Sequence, residues 1–541
     1  MTRNFWTNTA AVVLACAVFS GLSVYLARTS QSDLEADATT HFLIARYAPH
    51  EPAYFVGVWG RPLCTGVYAL TAHLGNVDQG RLYTRYLSLG LAILCTLITL
   101  TIAIRQRFRW PALVVIMLLA QPLFFLHSFS ELTEIPFTVL LMLAFLAYQR
   151  RQWLVMAIAV SLLPLGRPEG FGFILMAAVA LVAHRRARWL WVLAVPFLTW
   201  SYAGWYLTTI RPPVVRWYWY FWNPDCWTWV IHNWPYSYES TYGRGPLFSF
   251  VARLPVLTSP LFFPFMIVGC VIAFYSLAAA LGAEGRGEGE NLKREDVKRE
   301  KTDAFLTSSR LHVSHLHRCE LLILLIPLSI LVVHSLLWWR GKMGSNGELR
   351  YLLIVGPFFA MLAARGWEWS WQKFRWRIPL TFAGLCALLP IVANFQYRVV
   401  PFPLYDDGIV SREAADWYRS QPRLVADFPK IMPTLPQVFY YMDVSQSDES
   451  RAIPVCKQTV ENPPHGALML WDPIYGTTNS SADMCVPREM ISRNGWILLR
   501  RFYVGDKYVE AYLSPKTVHG EDSRKKYAGE TYLGEDPFFG N

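Results

Sequence analysis

The chain has 541 residues, of which 53% are hydrophobic and only 16% charged, with a formal net charge of +11. At a mean hydropathy of +0.24 it is more apolar than a soluble protein of this length needs to be, so it reads as an integral membrane protein. Its Lys and Arg residues sit in short blocks between apolar runs, as in cytoplasmic loops, which excludes nucleic-acid binding as the reason for the basic excess.

In chain order, eleven apolar runs are read as membrane spans: about 8–27, 84–104, 110–127, 134–149, 153–166, 169–183, 189–208, 252–281, 320–339, 350–366 and 378–397. The first follows Arg3 with no small-residue cleavage site behind it and is taken as an uncleaved anchor. With the N-terminus in the cytoplasm, every basic block falls on the inner face. These blocks are Arg105, Arg107 and Arg109; Arg150 and Arg151; Arg185, Arg186 and Arg188; the 283–319 loop; and Lys373, Arg375 and Arg377. The expected fold class is a multi-pass α-helical protein of the plasma (inner) membrane, with its transmembrane domain over 1–397. Segments 28–83 and 209–251 lie outside, as does an extracytoplasmic soluble domain over 398–520.

Arg167, Pro168 and Glu169 interrupt a hydrophobic stretch whose flanks, 153–165 and 171–183, are too short to cross a bilayer. Either flank covers roughly 20 Å at about 1.5 Å per residue, against a hydrocarbon core about 30 Å thick. The turn is therefore expected below the outer membrane surface, where ionisable groups are costly unless paired or lining a wet cavity. A single span over 153–183 would instead move 184–188 and every later basic block outside, so the hairpin is preferred.

Segment 283–319 mixes both charge signs with Gly and few apolar residues, and is read as a disordered cytoplasmic linker. From about 398 the pattern changes to an amphipathic helix at 409–420 and short apolar runs at 423–428, 467–472, 496–502 and 508–513. This implies a small α/β or α+β domain followed by a loose tail over 521–541. The nine cysteines show no CxxC metal spacing. Cys16, Cys95, Cys270 and Cys386 lie in apolar spans. Cys456 and Cys485 form a candidate disulfide in an oxidising compartment, and Cys64 with Cys226 a weaker pair.

The first outer segment holds an acidic cluster, Ser32-Asp33-Leu34-Glu35-Ala36-Asp37, just before a short amphipathic helix, with Asp37 in the first turn. A helix-capping role for Asp37 stands beside a chemical one. Asp37, Phe42 and Ala45-Arg46 resemble the D-E-x-x-Y-x-x-I-A-R segment of the GT-C membrane glycosyltransferases, which include aminoarabinose and protein O-mannosyl transferases that use polyprenyl-phosphate sugars. Trp59-Gly60-Arg61-Pro62-Leu63, Ser130-Glu131-Leu132-Thr133-Glu134, Gly166-Arg167-Pro168-Glu169-Gly170 and Glu348-Leu349-Arg350-Tyr351 extend the similarity over roughly 30–400. One departure is Ala38, where that family's segment carries Glu.

The resemblance implies a GT-C-like fold and transfer of a hexosyl or pentosyl unit from a polyprenyl-phosphate-sugar donor to a lipid, glycan or protein acceptor outside the membrane. Asp37 would be the general base, with inversion at the sugar carbon. Arg167, Arg350 and Arg61 are candidates for the donor phosphate, because guanidinium grips two oxygens at once. Glu35, Glu131, Glu134 and Glu169 are candidate acceptor-binding or supporting acids. Capping by Glu131 or Glu134 and pairing of Glu169 with Arg167 are the simpler alternatives. No cofactor is implied, and a divalent metal stays open. The aromatics of 216–238, among them Trp217, Trp219, Trp222, Trp227, Trp229 and Trp234, suit the lipid headgroup zone, with a few left to roof a sugar pocket. A lipid-linked sugar flippase or other transporter is the rival reading, but it calls for paired interrupted helices and the sequence has one clear interruption.

Overall fold

The computed structural model describes residues 2–33, 35–210, 222–235, 238–240, 242–290, 303–374, 400–477, 484–527 and 529. The expected span 378–397, Trp217, Trp219, Cys386 and nearly all of the tail after 527 lie outside the described residues. The chain forms two compact units. One comprises 1–28, 56–67 and 85–399, and the other 29–55, 68–84 and 400–541.

Among the described residues, four helices are long and apolar enough to cross a membrane: Thr7–Thr29, Val77–Arg105, Arg318–Arg340 and Leu349–Lys373. A fifth span arises if Ser249–Thr258 and Phe263–Ser276, bent by 112°, count as one. Several of the eleven expected runs instead form shorter helices. The run 110–127 divides into Pro111–Leu119 and Pro122–His127, because Pro122 offers no N–H to continue the ladder and holds Gln121 extended (ψ 124°). The run 252–281 breaks at Ser259, whose φ is 74°.

The interrupted stretch is two helices, as expected: Trp153–Leu162, extended by one turn over Leu163–Leu165, then Gly170–Ala183. Segment 283–319 departs from the disordered reading. Helix Phe263–Glu290 runs into it and Asp303–Arg340 begins inside it, while 291–302 lies outside the described residues.

In the first unit, helices Phe263–Glu290 and Gly356–Phe374 approach closely through glycines. A Cβ on Gly269 would fall 1.9 Å from the Leu362 carbonyl oxygen, and one on Gly366 would fall 1.8 Å from that of Phe265. Small residues at such contacts let backbones meet where lipid supplies no hydrophobic drive. Of the aromatics of 216–238, Trp229 is buried in a cluster with Val56, Trp200 and Trp205, so it is core rather than part of a headgroup belt, whereas Trp222 is exposed.

The second unit carries a four-stranded sheet, β1 (Lys430–Pro433), β2 (Ala467–Trp471), β3 (Ile497–Val504) and β4 (Lys507–Leu513), in the order β1-β2-β4-β3. β1 and β2 are parallel and the other pairings antiparallel, giving a mixed α/β sheet. The expected helix at 409–420 is Asp406–Arg419, packed on β3 and β4. The apolar run at 423–428 is the short helix Pro422–Asp427. Buried Met432, Met469, Trp471, Trp496 and Tyr512 form the core. Both indole N–H groups are satisfied, Trp471 donating to the Val486 carbonyl and Trp496 to that of Val460, each at 3.0 Å.

Neither candidate pair is joined: no disulfide links Cys456 to Cys485 or Cys64 to Cys226. The Cys456 sulfur lies 3.4 Å from the Thr459 hydroxyl at a helix start, and the Cys485 thiol donates to the Thr477 carbonyl.

Candidate functional site

A buried charged cluster occupies the first unit. Glu134 opens the helix Glu134–Gln149, Arg167 and Glu169 stand in the turn between the two short helices, and Arg350 lies in the 3-10 helix Leu349–Val355. Arg167 Nη1 donates to Glu134 Oε1 at 2.5 Å and to Thr133 Oγ1 at 2.9 Å. Its Nε and Nη2 donate to Glu169 at 3.3 and 3.0 Å. Arg350 Nε stands 3.9 Å from Glu134 Oε1 and pairs more closely with Glu348. One carboxylate thus faces both guanidinium groups. Glu134 is 1% exposed, Arg167 8% and Arg350 9%.

His334 and Tyr351 complete the cluster. His334 Nε2 lies 3.2 Å from Glu169 Oε1, and its ring stacks on Tyr351 with centroids 5.1 Å apart. The Tyr351 ring also lies under the guanidinium groups of Arg167 and Arg350, at 5.5 and 6.0 Å. Gly170 makes the turn that presents Arg167 possible, since a Cβ there would fall 2.3 Å from Pro164 N.

The structure sorts the expected residues. Glu134, Arg167, Glu169 and Arg350 are brought together, and the pairing of Glu169 with Arg167 is present. Arg350 is buried and ion-paired, unlike an anchor that snorkels to the interface. Glu131 is fully buried and pairs with Arg85 at 3.6 Å. Arg61 is buried with φ 65°, its guanidinium 5.1 Å from the Trp234 ring.

In the second unit, Asp37 is the first residue of the helix Asp37–Tyr47 and is half-buried. Ala36 occupies the N-cap position and makes no side-chain cap, and Asp37 puts an acidic residue in the first turn, where the helix dipole favours one. Glu35 is half-buried, and its carbonyl accepts the Ala38 N–H at 3.1 Å. Asp33 is buried and ion-paired with Arg81, and it accepts a hydrogen bond from Thr39 Oγ1 at 3.3 Å. At the other end Arg46 and Tyr47 both reach Asp443. Asp37 and Arg167 belong to different units.

Among the described residues, no group of three or more His, Cys, Asp or Glu side chains is arranged to hold a metal ion.

Solved structures similar to this chain include two of one protein. They are ArnT from Cupriavidus metallidurans in the apo state and the same protein bound to undecaprenyl phosphate, each 12% identical with a TM-score of 0.44. The first match covers 93% of this chain and 98% of the other, and the second 94% and 98%. No protein-family model and no curated protein matches the sequence.

Sequence reasoning missed His334, which lies inside an apolar run, and Arg81, which opens another. For His334 a lone ionisable residue in such a run was the available signal, whereas Arg81 shares its helix start with Asp78 and Arg85 and gave none. It also missed Tyr440 and Asp443, for which the local sequence carried no signal.

Proposed function

We propose that the protein is an integral membrane glycosyltransferase. It moves a hexosyl or pentosyl unit from a polyprenyl-phosphate donor to an acceptor hydroxyl on the outer face of the plasma (inner) membrane, with its N-terminus in the cytoplasm. The observation that carries this reading is the convergence of Arg167 and Arg350 on buried Glu134, in a body of apolar helices. Fixed guanidinium groups in a low-dielectric setting suit a lipid-borne phosphate, whose charge grows as the sugar leaves.

In the reaction the bond from the anomeric carbon to the phosphate oxygen breaks and one from that carbon to the acceptor oxygen forms. The acceptor proton goes to a base, assigned to Asp37 on the resemblance of its segment, and a single displacement inverts the carbon. Arg350 is assigned the closest phosphate contact. Each nitrogen of Arg167 already donates to Glu134, Thr133 or Glu169, so Arg167 acts by its charge and by holding Glu134 in place. Arg61 is a third phosphate candidate. Glu131 and Glu35 are kept as supporting acids, and the acceptor class (lipid, glycan or protein) is left to the assay.

A lipid-linked sugar flippase is the second reading. The helix pair bent by 112° at 258–263 is a second interruption beside the Arg167 turn, the kind of pairing that transporters show.

The test supplies the purified full chain with a panel of labelled polyprenyl-phosphate sugars and membrane acceptors. Label should pass to acceptor, and Asp37→Asn should abolish turnover while retaining donor binding. Full activity in that variant removes Asp37 from the mechanism. Label that crosses the bilayer still attached to its lipid, with no transfer, replaces the enzyme by the flippase.

A further inference from the structure

We propose that the C-terminal domain positions the helix bearing Asp37, with Tyr440 and Asp443 as positioning residues for the base; this rests on the reading of Asp37 as that base. An isolated helix of 11 residues is marginal in water and needs a partner for its apolar face. Asp37–Tyr47 buries Ala38, Phe42, Leu43 and Ala45, and it packs against helix Pro436–Met442 of the C-terminal domain.

The grip holds at three points. At the C-terminal end, Arg46 Nε and Nη2 donate to the two oxygens of Asp443 at 3.0 and 3.1 Å, and the Tyr47 hydroxyl donates to the same carboxylate at 2.7 Å. A two-point pair fixes direction as well as distance. At the middle, the Phe42 and Tyr440 rings meet edge to face at 6.0 Å. Before the first turn, Asp33 is ion-paired with Arg81, and the Tyr440 ring lies 4.7 Å from that guanidinium while its hydroxyl donates to Asp78 at 2.6 Å. Tyr440 therefore braces the ion pair that anchors the chain four residues ahead of Asp37.

Asp443 sits just past the end of Pro436–Met442 with φ 47°, a place where glycine is usual because it has no Cβ to strain. An aspartate there supplies what glycine cannot, a carboxylate for Arg46. The Arg46 guanidinium also donates to the carbonyls of Ala72 and Gly75, at 3.0 and 3.3 Å, so one side chain joins three segments.

The experiment compares Asp443→Ala, Asp443→Glu, Tyr440→Ala and Tyr440→Phe with wild type in the full chain, by amide hydrogen exchange and by label transfer. In Asp443→Ala and Tyr440→Ala, exchange over 37–47 should quicken at least about tenfold while β2 and β4 stay protected. Transfer should lose roughly 10- to 100-fold in kcat with little change in donor KM, the cost of a misplaced reacting group. Asp443→Glu should restore part of both, and Tyr440→Phe should keep most. Should the sheet itself lose protection in Asp443→Ala, Asp443→Asn keeps the volume and repeats the test. Unchanged protection over 37–47 overturns the proposal, as does a loss confined to donor KM. If wild type transfers no label from any donor, the enzymatic reading falls, and the exchange result alone still decides whether the domain holds the helix.

Discussion

Arg167 Nη1 and Glu134 Oε1 meet at 2.5 Å with both side chains more than nine-tenths buried, and the same carboxylate lies 3.9 Å from Arg350. The pair comes from a turn and from a helix start that are 33 residues apart in the chain.

Removing one member should weaken the cluster. Glu134→Gln leaves Arg167 with Glu169 alone, and Arg167→Met leaves Glu134 only the more distant Arg350, so each change is expected to destabilise by less than the roughly 3–5 kcal/mol of a fully unpaired buried charge. Replacing Glu134 and Arg167 together by apolar residues of similar volume should cost less than the sum of the single changes. Thermal unfolding in detergent, read as a double-mutant cycle, checks this, and strict additivity would show that the two do not interact.

Gly170→Ala should open the turn that presents Arg167 and Glu169, since its Cβ would lie 2.3 Å from Pro164 N and 2.4 Å from the Leu163 carbonyl carbon. Overpacking of this kind costs about 1–3 kcal/mol. Gly172→Ala, with nothing within 4 Å, is the control and should be neutral or slightly stabilising. Parallel melting curves of the two variants decide the matter.

Arg350→Lys should weaken donor use more than it weakens folding. Lysine keeps the charge but loses the fork that grips two phosphate oxygens, so donor KM is expected to rise about 10-fold or more. Steady-state transfer at graded donor concentrations gives the answer. An unchanged KM would move the phosphate contact elsewhere.

The second unit should lose stability in acid. Burial pushes the Asp443 carboxyl up, but hydrogen bonds from Arg46 and Tyr47 outweigh it and hold the group below its ordinary 3.8. Asp427 is lowered in the same way, burial being outweighed by Lys526 and Tyr527. For a carboxyl whose folded value lies below the unfolded one, the stabilisation is present above the unfolded value and is lost as pH falls through the folded one. Asp472 has the opposite sign: burial raises it, so its contribution favours the folded state at low pH and fades as pH rises. Tryptophan fluorescence of the buried Trp471 and Trp496 during acid titration should show a transition below pH 3.8. In Asp443→Asn that transition should shrink.

The membrane class, the break at Arg167-Pro168-Glu169 and the helix starting at Asp37 were legible in the residues alone. Each depends on neighbours within a few turns: apolar run length, a proline beside charges, and an acidic group ahead of an amphipathic stretch. The division of 110–127 was equally local, since Pro122 forbids the continuous helix that an apolar count suggests. Tertiary structure alone decided that Glu134, Arg167, Glu169 and Arg350 share one cluster with His334, while Glu131 turns to Arg85. It also decided that Arg46 finds its counter-charge in Asp443, 397 residues away. Periodicity reports which face of an element is buried, but not which distant element covers it. That choice is made by packing and by the need of each buried charge for a partner.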